Sequence, residues 1–303
     1  MKHSVNALTK AEKVVICVLF SLCVLSCTKD DEPETDMPET VIHVDINDDP
    51  IQEHVTINFA PVYSMELMTR AAISSVATRL DVWIYEGTTE VTAVHQDKTT
   101  DGDNFGIVSV PLDKTKTYTL YALAHKASAV CTLSEGIISY PDDKPKESFF
   151  YTTTFSPSTT TAINAEMHRI CGKFTLQTTD AVPDEVDHFR FIVKNTGNRF
   201  NVNGSPANII DRQVDFATIS RNQTNGTSSF AFQILSTSDA PTNFNITATA
   251  YAADNSIVET KTFAAVPIRN NYRTTYSGAF FTTSAMSLTF TADDWNDYDV
   301  VNF

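Results

Sequence analysis

From about residue 53 onward, apolar side chains recur at every second position in short runs, and turn-forming residues separate the runs. In His54-Val55-Thr56-Ile57-Asn58-Phe59, Val55, Ile57 and Phe59 alternate with polar neighbours, and in Arg79-Leu80-Asp81-Val82-Trp83-Ile84-Tyr85-Glu86, Leu80, Val82 and Ile84 share one face. Successive side chains of an extended chain point to opposite faces, so a period of two predicts half-buried strands. Further runs follow at Glu90 to His95, Phe105 to Leu112, Tyr118 to His125, Phe149-Phe150-Tyr151 and Thr159 to Met167. A spacing of about 8 to 12 residues, with Thr, Asn, Gly and Pro between runs, predicts β-sandwich architecture. Helical periodicity is poor throughout, and the best candidate is a short turn near Pro206 to Asp211. The expected class is all-β.

A second series of runs begins at Met167 to Leu176. His188 to Lys194 corresponds in outline to Leu80 to Tyr85, and Asn243 to Tyr251 resembles Tyr118 to Ala124 in its small-residue alternation. This weak duplication predicts two similar sandwiches in tandem, 53–166 and 167–303.

The N-terminus reads differently. Lys2, Lys10 and Lys13 precede an apolar block, Val14 to Leu25, broken only by Ser21. About 12 residues at ~1.5 Å each cover only ~18 Å of a ~30 Å hydrocarbon layer, which predicts an export signal and no spanning helix. Val24-Leu25-Ser26-Cys27 resembles the lipobox of bacterial secreted lipoproteins. The resemblance implies a signal peptide over 1–26, cleavage before Cys27 and acylation of its thiol; the plain alternative is one more cysteine of an ordinary signal, beside Cys17 and Cys23. Lys29-Asp30-Asp31-Glu32 resembles the acidic surface-export signal of Bacteroidota lipoproteins, which implies a surface-exposed lipoprotein on the outer face of the outer membrane. Residues 27–52 hold six aspartates and three prolines. Such a stretch buries too little to offset its ordering entropy and predicts an extended acidic tether.

The formal net charge is -15, and loss of the first 26 residues removes more lysine than glutamate. A surface this acidic repels nucleic acid and anionic lipid. With Cys27 acylated, Cys131 and Cys171 remain; their pairing is compatible with export but not needed to hold domains this large.

Motifs of catalysis are missing: there is no GxSxG, HExxH, Cys-x-x-Cys or phosphate-cradling glycine loop, and the seven histidines lack ligand spacing. Neither an enzyme, a cofactor nor a metal site is expected. The acidic stretch from Asp97 to Asn104 lacks the glutamate that closes a calcium loop and reads as a hairpin turn. Asp293-Asp294-Trp295-Asn296-Asp297 reads as a solvated edge in preference to a weak cation site. Trp83, Trp295 and Phe149-Phe150-Tyr151, weighed as a sugar-binding platform, lie in strand-like contexts where core packing is the usual fate.

Met167-His168-Arg169-Ile170-Cys171-Gly172-Lys173-Phe174 at mid-chain and Val266 to Gly278 near the end, together with the order lipobox, acidic tether, first strand, Thr69-Arg70 loop and Leu80 to Tyr85 strand, resemble the fimbrillin and fimbrial-anchor family of Bacteroidota. The resemblance covers about residues 53 to 303. It implies a pair of transthyretin-like (Greek-key) β-sandwiches in a fimbrial, or pilus, subunit for cell adhesion. The subunit joins other fimbrial subunits by β-strand addition, as an anchor or accessory subunit held in the membrane by the lipid on Cys27. Polymerising stalk or tip members of that family are cut after an arginine that follows the first strand. Arg70, followed by Ala71, is the matching position, and Arg79 a poorer one because it begins a strand. The other functional class left open is a surface glycan-binding lipoprotein of a polysaccharide-uptake system, and any host or glycan ligand is undetermined by sequence.

Overall fold

The alternation around Ile57 becomes strand β1 (Gln52–Val62), with Val55, Ile57 and Phe59 buried and Asn58 exposed. This computed structural model describes residues 52–62, 73–238, 240–282 and 291–294, all within one compact unit, Asp48–Phe303. After β1 come β2 (Arg79–Glu86), β3 (Thr89–Asp97), β4 (Ile107–Asp113), β5 (Tyr118–His125), the short β6 (Thr132–Ser134) and β7 (Ile137–Ser139), then β8 (Ser148–Phe155) and β9 (Ala162–Arg169). Hydrogen bonds connect seven of them in the order β3-β2-β5-β8-β9-β1-β4. The β8–β9 step consists of two residue pairs, Phe149 with Arg169 and Phe150 with His168. Side chains from either side of that joint, such as Val82 and Leu120 on one leaf and Ile57, Val110 and Ile163 on the other, share one core. Two leaves thus close on each other, as the sandwich expectation requires.

The second half holds β10 (Cys171–Thr178), β11 (Val186–Asn201), β12 (Ser205–Phe216), β13 (Ser229–Leu235), β14 (Thr242–Ala252), β15 (Ile257–Ile268), β16 (Tyr272–Gly278) and β17 (Thr291–Asp294). One leaf runs β13-β10-β16-β17; the other is built on β11, with β14 and β15 to one side and β12 to the other. A core rich in phenylalanine, including Phe174, Phe189, Phe191 and Phe230, fills the space between them.

The two halves share a scheme of strand pairing. The succession β3-β2-β5-β8 is matched by β12-β11-β14-β15. In each half the first strand pairs in parallel with a late one: β1 with β9, and β10 with β16, the last strand but one. Each first strand also pairs antiparallel with a neighbour, β1 with β4 and β10 with β13.

Three readings of the sequence are corrected. Pro206 to Asp211 forms no helical turn but lies inside β12, where Pro206 sits opposite Phe200. Asn208 takes a left-handed backbone there (φ 50°) and its amide donates to Asn198 Oδ1 at 2.7 Å; Asn tolerates this conformation and a strand edge tolerates Pro. The Asp97 to Asn104 stretch is no hairpin turn, because β3 and β4 lie in different leaves. Instead Asp97 caps a one-turn helix, Lys98–Asp101, its Oδ1 accepting Thr99 N–H at 2.8 Å. Finally, β2 is buried on both faces over Leu80 to Ile84. Its even positions fill the first sandwich, while Trp83 packs with Leu123, Ile138, Phe150, Phe200 and Leu235 in a third cluster where the two halves meet.

At that meeting β9 gives way to β10 through a single residue, Ile170. Ile170 N–H donates to Ser148 O at 2.9 Å, and Ile170 O accepts from Ser236 N–H at 3.1 Å. The side chain is 5 % exposed. The hairpin β6–β7 crosses the same border, its Ile137, Ile138 and Ser139 pairing with Asn201, Phe200 and Arg199 of β11.

Candidate functional site

Strand β1 is the element on which the strand-addition reading turns. It lies between β4 and β9, with Gln52 to Asn58 opposite Asp113 to Ile107 and Thr56 to Val62 parallel to Ala162 to His168. Both ladders engage its main chain, and Phe59 N–H donates to Gly106 O at 2.9 Å beyond the β4 register. Val55, Ile57 and Phe59 fill the core at 0, 0 and 5 % exposure. Main-chain bonds on both edges thus hold β1, and its alternate apolar side chains fix its register. Arg79 opens β2 with its guanidinium 2.7 Å from Asp97, so it is tied into the sheet. Cys27, Lys29, Asp30, Asp31, Glu32, Arg70 and Ala71 lie outside the described residues.

The two motifs that carry the family resemblance meet at the border between the halves. Arg169, 2 % exposed, donates through Nη2 to Glu147 Oε1 at 2.8 Å and through Nη1 to Asn271 Oδ1, and its guanidinium carbon stands 4.7 Å from the Phe149 ring centroid. Glu147 Oε2 also accepts from Lys126 Nζ at 2.7 Å. Asn271 N–H donates to Cys171 O at 3.1 Å. A side chain on Gly172 would place its Cβ 2.4 Å from Arg269 O, so only glycine lets the two segments approach this closely. The mid-chain and late motifs thus meet around Arg169, whose buried ion pair is completed by Glu147 from outside both.

Sequence spacing also missed a cluster that the sheet assembles from Asp81, His125 and Cys131, all buried. Asp81 Oδ2 stands 2.8 Å from His125 Nε2 and accepts Cys131 N–H at 2.7 Å; Oδ1 stands 2.8 Å from Nδ1 of the half-exposed His95. Cys131 Sγ lies 4.0 Å from His125 Nδ1. The order thiol, imidazole, carboxylate resembles a nucleophilic triad, but the chemistry is closed. His125 Nδ1 accepts Ala127 N–H at 3.1 Å, so the nitrogen facing the thiol has no lone pair left for its proton or for a metal, and Nε2 carries the hydrogen given to Asp81. Burial, and then the Asp81 charge, push the Cys131 thiol far above its usual range, away from the thiolate that a nucleophile or a ligand needs. The cluster is a polar staple joining β2, β5 and the 126–131 loop.

Burial likewise pushes the Cys171 thiol up to about 12. The two cysteines are free and buried, not paired. Trp83, Phe149 and Phe150 are 3, 0 and 8 % exposed, so they form no sugar platform; Trp295 is outside the described residues.

A family model described as a family of unknown function, DUF6562, matches residues 51–300. No curated protein matches the chain. Solved structures are similar in fold. A candidate polysaccharide-binding protein from Bacteroides thetaiotaomicron has a TM-score of 0.53 at 11% identity, over 80% of this chain and 96% of that one. A candidate adhesin from Bacteroides ovatus has 0.52 at 10% identity, covering 80% and 94%, and a candidate adhesin from Bacteroides thetaiotaomicron has 0.51 at 10%, covering 80% and 97%.

Proposed function

We propose that this chain, which belongs to the family of unknown function DUF6562, is a cell-surface lipoprotein of the outer membrane acting as a fimbrial subunit, anchor or accessory in role, that joins its neighbours by strand addition. The observation that carries the reading is β1: one strand inserted between β4 and β9, its apolar residues alternating into the core. Its loss would leave a groove with two unpaired edges, and an edge of that kind is the binding surface of strand addition. The fold shared with candidate adhesins is consistent with a surface role. In this reading the lipid sits on Cys27, Lys29 to Glu32 direct export, and residues 27–52 lift two domains, 53–166 and 167–303, from the bilayer. Two acyl chains or more, at ~0.8 kcal/mol per buried methylene, suffice for stable anchoring.

A second reading, surface glycan capture, draws on the fold shared with a candidate polysaccharide-binding protein. Burial of Trp83, Phe149 and Phe150 weighs against it, because a glycan platform needs exposed rings.

The test is the mature N-terminus, read by mass spectrometry on protein recovered from the outer membrane. A lipidated Cys27 with the Arg70–Ala71 bond intact is the outcome expected of an anchor or accessory subunit. A start at Ala71 would replace that role with a polymerising stalk or tip subunit whose β1 is removed. An unlipidated chain starting anywhere else would overturn the proposal.

A further inference from the structure

Arg169 and Arg212 are both buried, and they are treated differently. Arg169 has the Glu147 carboxylate at 2.8 Å. Arg212, on β12 and 6 % exposed, has no carboxylate: Nη2 donates to Gln233 O, Nε and Nη1 meet no acceptor, and the Phe232 ring centroid lies 5.9 Å away. Arg212 lines a cavity of about 230 Å³ between the 144–146 segment and strands β12 and β13. Lys144 and Lys146, both exposed, stand on its rim. The one carboxylate there, Asp215, is already engaged by Arg190 Nε at 2.8 Å and by Gln213 Nε2 at 2.7 Å.

A buried cation without a counter-charge is costly, and chains seldom keep one that only packs. Burial holds the Arg212 pKa down at about 10, with no carboxylate to offset it, yet the group stays charged at neutral pH. Three positive groups therefore converge on one recess of a chain whose net charge is -15. One buried guanidinium and two ammonium groups at the mouth are the groups an anion receptor uses, and charge-assisted hydrogen bonds to them are strong. Three cations suit a doubly charged group better than a carboxylate. A water takes ~30 Å³ of liquid, so the cavity has room for such a group and a few attached atoms.

We propose that the recess between Arg212, Lys144 and Lys146 is a binding site for a tetrahedral oxyanion, a sulfate or phosphate group, either free or carried on a larger ligand. It is independent of β1 and of the fimbrial reading.

The test is calorimetric titration of the full chain with sodium sulfate and with inorganic phosphate at constant ionic strength, with acetate for comparison. Saturable binding of sulfate or phosphate, with acetate weaker, is expected. Arg212→Met should fold, since it removes an uncompensated charge, and should lose at least about thirtyfold in affinity, the cost of deleting one partner of a buried charged contact. The Lys144→Met, Lys146→Met pair, on exposed positions, should weaken binding without touching the fold, and it decides the matter if Arg212→Met does not fold. Sulfate and phosphate heats that do not saturate, or binding unchanged in these variants, would overturn the site; acetate binding as tightly as sulfate would overturn its tetrahedral preference. Comparing free sulfate with a sulfated monosaccharide then separates a free ion from a carried group.

Discussion

Replacing Ile57 by alanine tests whether β1 is held as a strand insert. Ile57 is fully buried between the leaves, and its neighbour Asn58 is exposed on the same strand. Removing three methyl or methylene carbons from a packed core costs the transfer term plus the cavity left behind, about 2–5 kcal/mol. Asn58→Ala, at an exposed position, should change stability by no more than about 0.5 kcal/mol. Urea unfolding followed by the fluorescence of Trp83 reads the difference. With a slope of ~1–3 kcal/mol/M, Ile57→Ala should lower the midpoint by at least about 0.7 M, while Asn58→Ala shifts it by less. If the loss is confined to β1, its opening equilibrium rises on the order of a hundredfold at about 3 kcal/mol, which hydrogen exchange of residues 52–62 would report. A synthetic peptide of the β1 sequence should then enter the variant faster than the parent. Equal cost for the two substitutions would show that the alternation does not hold the strand, and the register argument for strand addition would fall with it.

Glu147→Ala should destabilise the protein by about 3–5 kcal/mol, because it leaves the Arg169 guanidinium buried without its carboxylate; denaturant unfolding checks this, and a cost under about 1 kcal/mol would refute the ionic joint. Cys131 and Cys171 should resist iodoacetamide at pH 7.5 in the folded protein and react once urea unfolds it, since burial raises both thiols; mass spectrometry of the alkylated peptides reads the outcome, and rapid labelling of native Cys131 would reopen the triad.

Where a strand has one face in a core, its residues announce it. The stretches read as strands at Arg79 to Glu86 and Tyr118 to His125 coincide with β2 and β5, residue for residue. The same rule failed where both faces are covered. Asp81 falls on the side of β2 that alternation leaves to solvent, yet it anchors a polar staple, and Trp83, expected to pack in a core, does so at the border between the halves. Nothing local marks such burial, because what covers those side chains is the loop at Cys131, separated by 50 residues, and the hairpin at Ile138. His125 and Cys131 are six residues apart and Asp81 is 44 residues before His125, spacings set by sheet pairing and not by any motif. Arg212 was invisible too: it follows directly on Pro206 to Asp211, expected to form a turn, and nothing in its neighbours Asp211 and Gln213 marks it as buried. Legible without the fold, though not understood, were Arg169, Gly172 and the Arg269 to Tyr272 turn; their short motifs stood out because a close approach and a buried charge restrict the residues allowed there.

The one-residue passage at Ile170 has a mechanical consequence. Because β1 and β9 run in parallel, the start of one and the end of the other lie at opposite ends of the pair. The same holds for β10 and β16. Tension applied between Gln52 and Gly278 therefore slides each pair along its length, loading all the hydrogen bonds of a ladder together instead of peeling them one at a time. Ile170, bonded to Ser148 on one side and Ser236 on the other, couples the two ladders in series with no slack between them. Stretched between those two residues, the chain would meet two shear clamps in line before it lengthened.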